Sequence, residues 1–138
     1  MPDPFRHRIR VRFNECDPQG VVFYGNYLVY FDLLMTELWR AAFANGYKGL
    51  IESGTDAMVA EANIRYRASA RFDDELDLLA QVTRVGTTST VTAVRAERAA
   101  DGALLAEGEL RHVFIDPDTL EKKEIPEEVR AGMGRYSA

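Results

Sequence analysis

Between Asn26 and Ala44 the chain reads NYLVYFDLLMTELWRAAFA, which as a helix is apolar on nearly every side. Asp32, Thr36 and Arg40, spaced four residues apart, share one face and leave a polar edge. A helix of this kind cannot lie on a surface and has to be enclosed. Asn26 suits an N-cap and Gly46 a stop, and about 18 residues make a rod of roughly 27 Å. The rest of the chain must supply a wrapper.

That wrapper is legible as strands. Arg8, Arg10 and Arg12 alternate with Ile9, Val11 and Phe13, a two-residue period that stops at Asn14. From Met58 to Ala68 the even positions are mostly apolar and the odd ones polar, Val59 being the exception. Segments 75–85, 88–97 and 104–115 follow, with Asp101-Gly102 a two-residue hairpin signal. Strands so close in sequence pair antiparallel, because parallel pairing needs a crossover. A short helix is expected around Pro126 to Ala131. The expected class is α+β: a long buried helix wrapped by a curved, antiparallel five-stranded sheet, in one domain over residues 1–138. One sheet cannot cover every side of such a rod, so a second subunit is expected to close the open face.

Charge and cysteine content narrow the function. Seventeen basic against 22 acidic residues give a net charge of −5, which argues against nucleic acid or an anionic membrane as partner. Cys16 is the one cysteine, so no disulfide framework exists, and no Cys/His spacing suits zinc. No metal ion and no bound cofactor are expected, since phosphate-cradling glycine loops are missing as well. The charged N-terminal stretch lacks the apolar run of a signal peptide, so a cytoplasmic protein is expected.

Asp17-Pro18-Gln19-Gly20 reads as a turn between the first strand and the helix. In the segment CDPQGVVFYGNYLVYFD, residues Asp17, Gly20, Asn26 and Tyr27 make an Asp-x-x-Gly-x-x-x-x-x-Asn-Tyr pattern. This resembles the hotdog-fold thioesterases of the 4-hydroxybenzoyl-CoA thioesterase type. Residues 64–76 look like that family's second-to-third strand passage, and 104–108 resemble its final strand. The likeness runs from about residue 6 to 127. It implies acyl-CoA thioester hydrolysis, a dimer with one continuous sheet, and often a homotetramer. Short-chain and carrier-protein relatives often carry histidine seven residues after the aspartate. Tyr24 stands there, preceded by Phe23, which leans toward an aromatic acyl group.

The chemistry can be argued from the residues themselves. A leaving thiol with a pKa near that of cysteine, about 8.5, needs little acid assistance, so one carboxylate can suffice. Asp17 is the candidate, either attacking the carbonyl or drawing a proton from water. Unpaired N–H groups around Tyr24 to Tyr27 would hold the oxyanion, and Gly25 would let substrate approach the backbone. Gly20, Phe23, Tyr24, Gly25, Asn26 and Tyr27 are thus the expected substrate and oxyanion residues, although Asn26 equally suits a cap and Tyr27 the core. Arg65, Arg67 and Arg71 are the cluster expected to hold the CoA phosphates. Cys16 as nucleophile would need His7 or His112 as base, while Asp32 and Glu37 suit the helix edge. Two further readings remain open: a non-catalytic acyl-CoA-binding or scaffold module, and a dehydratase, which usually needs an aspartate–histidine pair.

Overall fold

The computed structural model describes residues 3–137. The chain runs through β1 (Phe5–Arg10), a single 3-10 turn (Phe13–Glu15), α1 (Asn26–Ala42), α2 (Gly46–Glu52), β2 (Asp56–Tyr66), β3 (Glu75–Val85), β4 (Ser89–Arg98), β5 (Leu104–Ile115) and α3 (Glu127–Gly134). The five strands form one sheet in the order β1-β3-β4-β5-β2, antiparallel throughout. Along α1, Tyr27, Tyr30, Phe31, Leu34, Met35, Leu38, Trp39 and Ala42 are buried. They share one core with Leu78 and Val82 of β3, Val94 of β4 and Leu110 and Phe114 of β5. Phe31 and Leu34 are fully covered, each stabilising the fold by roughly 1.5–3 kcal/mol.

The enclosure is incomplete within one chain. Leu28, Val29 and Leu33 of α1 remain 48%, 59% and 39% exposed, on the same side as Asp32. In the sheet β2 is an edge strand whose residues are mostly exposed, Met58 and Val59 included. Its pairing with β5 shifts register between Val59 and Glu61. Below the shift Ala57 and Val59 lie opposite the buried Phe114 and His112; above it Ala62 lies opposite the buried Leu110. That extra residue moves the apolar face from odd to even positions, which accounts for Val59 as the exception in the alternation.

Four boundaries differ from expectation. The first strand ends at Arg10 rather than Phe13, because the Arg12 N–H donates to Glu15 Oε1 and is lost to strand pairing. Asn26 does not cap α1: Gly25 precedes the helix in αR geometry, and Asn26 Nδ2 donates to the carbonyl of Glu15. Gly46 does not end the chain's helical course. Asn45 and Gly46 turn through positive φ, and Gly46 opens α2, packed so near Arg40 that a Cβ would stand 3.0 Å from its Cα. The β4–β5 connection spans residues 99–103 rather than two, closed by Arg98 N–H to Ala103 O and Gly102 N–H to Arg98 O. The short C-terminal helix is present as α3, and Arg135 from its end donates to the carbonyl of Ala42, satisfying an orphan acceptor of α1.

The arginine row of β1 finds its reason on the outer face of the sheet. Arg8 clasps Asp77 of β3 with two bonds, Nε–Oδ1 2.9 Å and Nη2–Oδ2 3.1 Å, and Arg6 adds a third contact at 2.9 Å. The Arg8 bonds hold the Asp77 carboxyl below its ordinary pKa. No helix among the described residues is long and apolar enough to cross a membrane.

Candidate functional site

Cys16 to Val22 form a small hairpin pinned by a bridge between those two residues. Asp17 N–H donates to Val21 O and Gly20 N–H to Asp17 O, both at 2.9 Å. Gly20 has φ +79°, which the tight turn requires. The half-buried Asp17 accepts the Gln19 N–H at Oδ1, 2.9 Å, leaving its second oxygen without a hydrogen bond among the described residues. A carboxylate so placed is oriented yet chemically available.

The hairpin returns directly to the start of α1. Phe23 N–H donates to Glu15 O at 3.0 Å, on the same carbonyl that Asn26 Nδ2 meets at 2.8 Å. Asn26 and Tyr27 N–H groups donate to the carbonyls of Phe23 and Tyr24, so neither is open to an oxyanion. The N–H groups of Tyr24 and Gly25 have no backbone acceptor among the described residues, and they precede the positive end of α1. Of the four N–H groups at 24–27, these two alone lack a backbone acceptor among the described residues. Open access to Gly25 is also corrected, since the Phe23 ring occupies the side where a Cβ would come within 2.9 Å of it.

Aromatic rings cluster at the start of α1. Phe23 and Tyr24 lie 4.6 Å apart and are 45% and 65% exposed. Tyr66 of β2 packs edge-on to Tyr24 and Tyr27 and donates its hydroxyl to Tyr24 O at 3.0 Å. Tyr27 itself is core, with its hydroxyl accepting the Ala70 N–H, and burial raises its pKa.

The three arginines do not form one cluster within the chain. Arg67 is bonded to Glu107 at 3.0 Å. Arg65 lies opposite Glu107 in the ladder and lines a cleft of about 350 Å³ on the outer sheet face, with Arg95, Glu107 and Glu109. The alternation of strand side chains separates that face from α1. Arg71 alone stands at the hairpin: it bridges Val21, and its Nη1 lies 4.0 Å from where a Gly20 Cβ would be. No carboxylate pairs with its guanidinium among the described residues.

The remaining candidates stand outside this arrangement. Cys16 Sγ faces the Arg12 carbonyl at 3.9 Å, with no histidine bonded to it among the described residues. His112 is buried against Trp39, ring centroids 5.1 Å apart. Asp32 is exposed on the open side of α1, and Glu37 pairs with Arg40. Among the described residues no three His, Cys, Asp or Glu side chains gather in a way that would hold a metal.

The family model described as the thioesterase-like superfamily matches residues 11–133. The chain belongs to the thioesterase-like superfamily. It is an enzyme of that family, with the hotdog fold, a five-stranded antiparallel sheet around α1. The acyl-CoA thioester hydrolase YbgC of Escherichia coli O157:H7 and of Shigella flexneri is 28% identical over 127 residues, covering 92% of this chain and 93% of the relative. Among solved structures, the 1,4-dihydroxy-2-naphthoyl-CoA thioesterase Slr0204 from Synechocystis superposes with a TM-score of 0.87 at 19% identity, over 95% of this chain and 96% of that one. The Dynemicin thioesterase reaches 0.89 at 24% identity, over 99% of both chains. At those identities the two structures speak for the fold.

Two features of the site escaped sequence reasoning. Glu15, whose side chain is only 13% exposed, holds Tyr30 of α1 and Arg12 at once. No local signal flags it, because arginine offers no acceptor and Arg12-x-x-Glu15 is therefore not a capping box. Tyr66 carried no such signal, because nothing local shows that it meets Tyr24, 42 residues away.

Proposed function

We propose that this enzyme hydrolyses acyl-CoA thioesters, with Asp17 as nucleophile or general base and the Tyr24 and Gly25 N–H groups as oxyanion donors. The observation that carries the reading is the hairpin geometry, in which one carboxylate with a free oxygen is tethered to the N-terminal end of the buried helix. The named activity of YbgC supports the reaction class. Donors of this kind are worth on the order of 10²–10³ each in turnover. The exposed rings of Phe23, Tyr24 and Tyr66 favour a planar aromatic or a short acyl group, with Phe23 swinging off Gly25 to admit it. A panel of aromatic and aliphatic acyl-CoA esters with free-thiol detection tests the proposal. Release from aromatic members supports it; binding without release across the panel establishes a carrier module instead.

Arg71 is the cation proposed for the CoA phosphates, being unpaired and beside the hairpin, while Arg67 is engaged with Glu107. Arg71→Ala is expected to raise KM several-fold at low salt, with kcat little changed and the difference shrinking at 0.5 M salt as screening removes the attraction. Equal KM values for both proteins at low salt would move the phosphate site elsewhere.

The reading includes a homodimer or homotetramer. Its support is the β2 sheet edge together with exposed Leu28, Val29 and Leu33 of α1, a strand edge and an apolar face that a second copy would cover.

A further inference from the structure

Asp17 has one hydrogen bond of its own, and it is local: the Gln19 N–H. Nothing in that bond fixes the carboxylate relative to α1. Val22 N–H holds the hairpin to Ala70 O at 2.9 Å, and the side-chain bonds that reach the hairpin from α1 converge on Glu15, two residues before Asp17. The Glu15 backbone carbonyl takes Phe23 N–H at 3.0 Å and Asn26 Nδ2 at 2.8 Å, tying the far arm of the hairpin and the first residue of α1 to the near arm. Its carboxylate accepts the Tyr30 hydroxyl at 3.0 Å, one turn further into the helix. The same carboxylate accepts Arg12 N–H at 2.7 Å and meets the Arg12 guanidinium at 3.0 and 3.1 Å, closing the turn before it.

We propose that Glu15, acting through Tyr30, is the positioning residue that sets Asp17 against the N-terminus of α1. Glu15 touches no reacting atom. It gives the hairpin a fixed height over the helix, and productive geometry in such a site tolerates only a fraction of an ångström. Tyr30 suits the task because it is 2% exposed and projects from a rigid element. Burial first, and the bond to Glu15 second, raise its pKa, so the hydroxyl remains a donor throughout the working range. The inference rests on Asp17 being the group that attacks or activates water.

The test uses the full chain with an acyl-CoA ester that the wild type hydrolyses, and it compares Glu15→Gln, Tyr30→Phe, the double variant and Asp17→Asn. Tyr30→Phe removes one oxygen atom and keeps the ring, so it provides a folded variant even where Glu15→Gln is impaired. Turnover is normalised to the folded fraction from denaturant unfolding. The expected result is a kcat about tenfold lower in each single variant, with KM within about twofold of wild type. The double variant should be no more than about twofold below the worse single one, because both cut the same link. Wild-type kcat per folded molecule in Tyr30→Phe, while Asp17→Asn is inactive, overturns the positioning role alone. Activity surviving in Asp17→Asn overturns the reading of Asp17 on which this rests. A rise in KM with unchanged kcat in the Glu15 and Tyr30 variants also overturns the role, because it marks a binding contact.

Discussion

Asp17→Asn will lower turnover of an acyl-CoA thioester by at least about a hundredfold and leave its apparent affinity within a few-fold of wild type. General-base and nucleophilic contributions are on the order of 10²–10⁴, and the amide can perform neither. The substitution is also mild for the fold. Asparagine is isosteric and tolerated in the same turn, and its Oδ1 still accepts the Gln19 N–H that Asp17 accepts at 2.9 Å. A loss of kcat with intact unfolding behaviour is thus the expected pattern. Single turnover in oxygen-18 water tests for direct attack: label retained in Asp17 marks a mixed anhydride opened by water at the Asp17 carbonyl. An Asn variant with wild-type kcat would remove Asp17 from the chemistry and return the Asp-Pro-x-Gly segment to a simple turn.

The second large effect concerns stability, and it comes from a buried histidine outside the site. His112 is 4% exposed, between Val59 of β2 and Thr90 of β4 in the ladder and edge-on to Trp39. Its Nδ1 has no hydrogen-bond partner among the described residues, and none of these neighbours carries a charge to offset protonation. Burial alone therefore lowers its pKa from the ordinary 6.5 to about 4. The sign follows from proton binding. Below pH 6.5 the unfolded chain takes up a proton at this position that the folded chain refuses until about pH 4. Stability is fully present above 6.5 and falls as the pH drops toward 4, by up to roughly 3 kcal/mol. Urea unfolding between pH 7 and 4.5 measures it, with His112→Phe as the comparison: the variant should lose much less stability over the same range. Parallel curves for the two proteins would assign the acid sensitivity elsewhere. The window is separate from that of Asp77, whose lowered pKa withdraws support only below the ordinary carboxylate range.

Much of the architecture was legible because it depends on local periodicity. The bounds 75–85 and 104–115 agree with β3 and β5, and the apolar residues of α1 that face the sheet are among those read from the helix pattern. In the segment 104–115, His112 alternates onto the same face as Leu110 and Phe114, and it is buried with them. Where local rules failed, a group had found a partner outside its own strand or helix. Arg12 leaves the strand for Glu15, and Asn26 turns from capping its own helix to the Glu15 carbonyl, 11 residues back. The extra residue in β2 appeared in the sequence only as an anomalous valine at position 59.

The sequence by itself determined that a long apolar helix must be wrapped by antiparallel strands, and it marked the Asp17 turn at the helix entry. Both are consequences of side-chain spacing within a few residues, where the backbone has a small set of repeating geometries. Only the tertiary structure decided the strand order, the separation of Arg71 from Arg65 and Arg67, and the convergence of Glu15, Tyr30 and Asn26 beneath the hairpin. Those outcomes depend on which groups meet after the sheet curls around α1. Burial makes a hydrogen bond between them worth forming, and no short window of sequence contains both the donor and its burial.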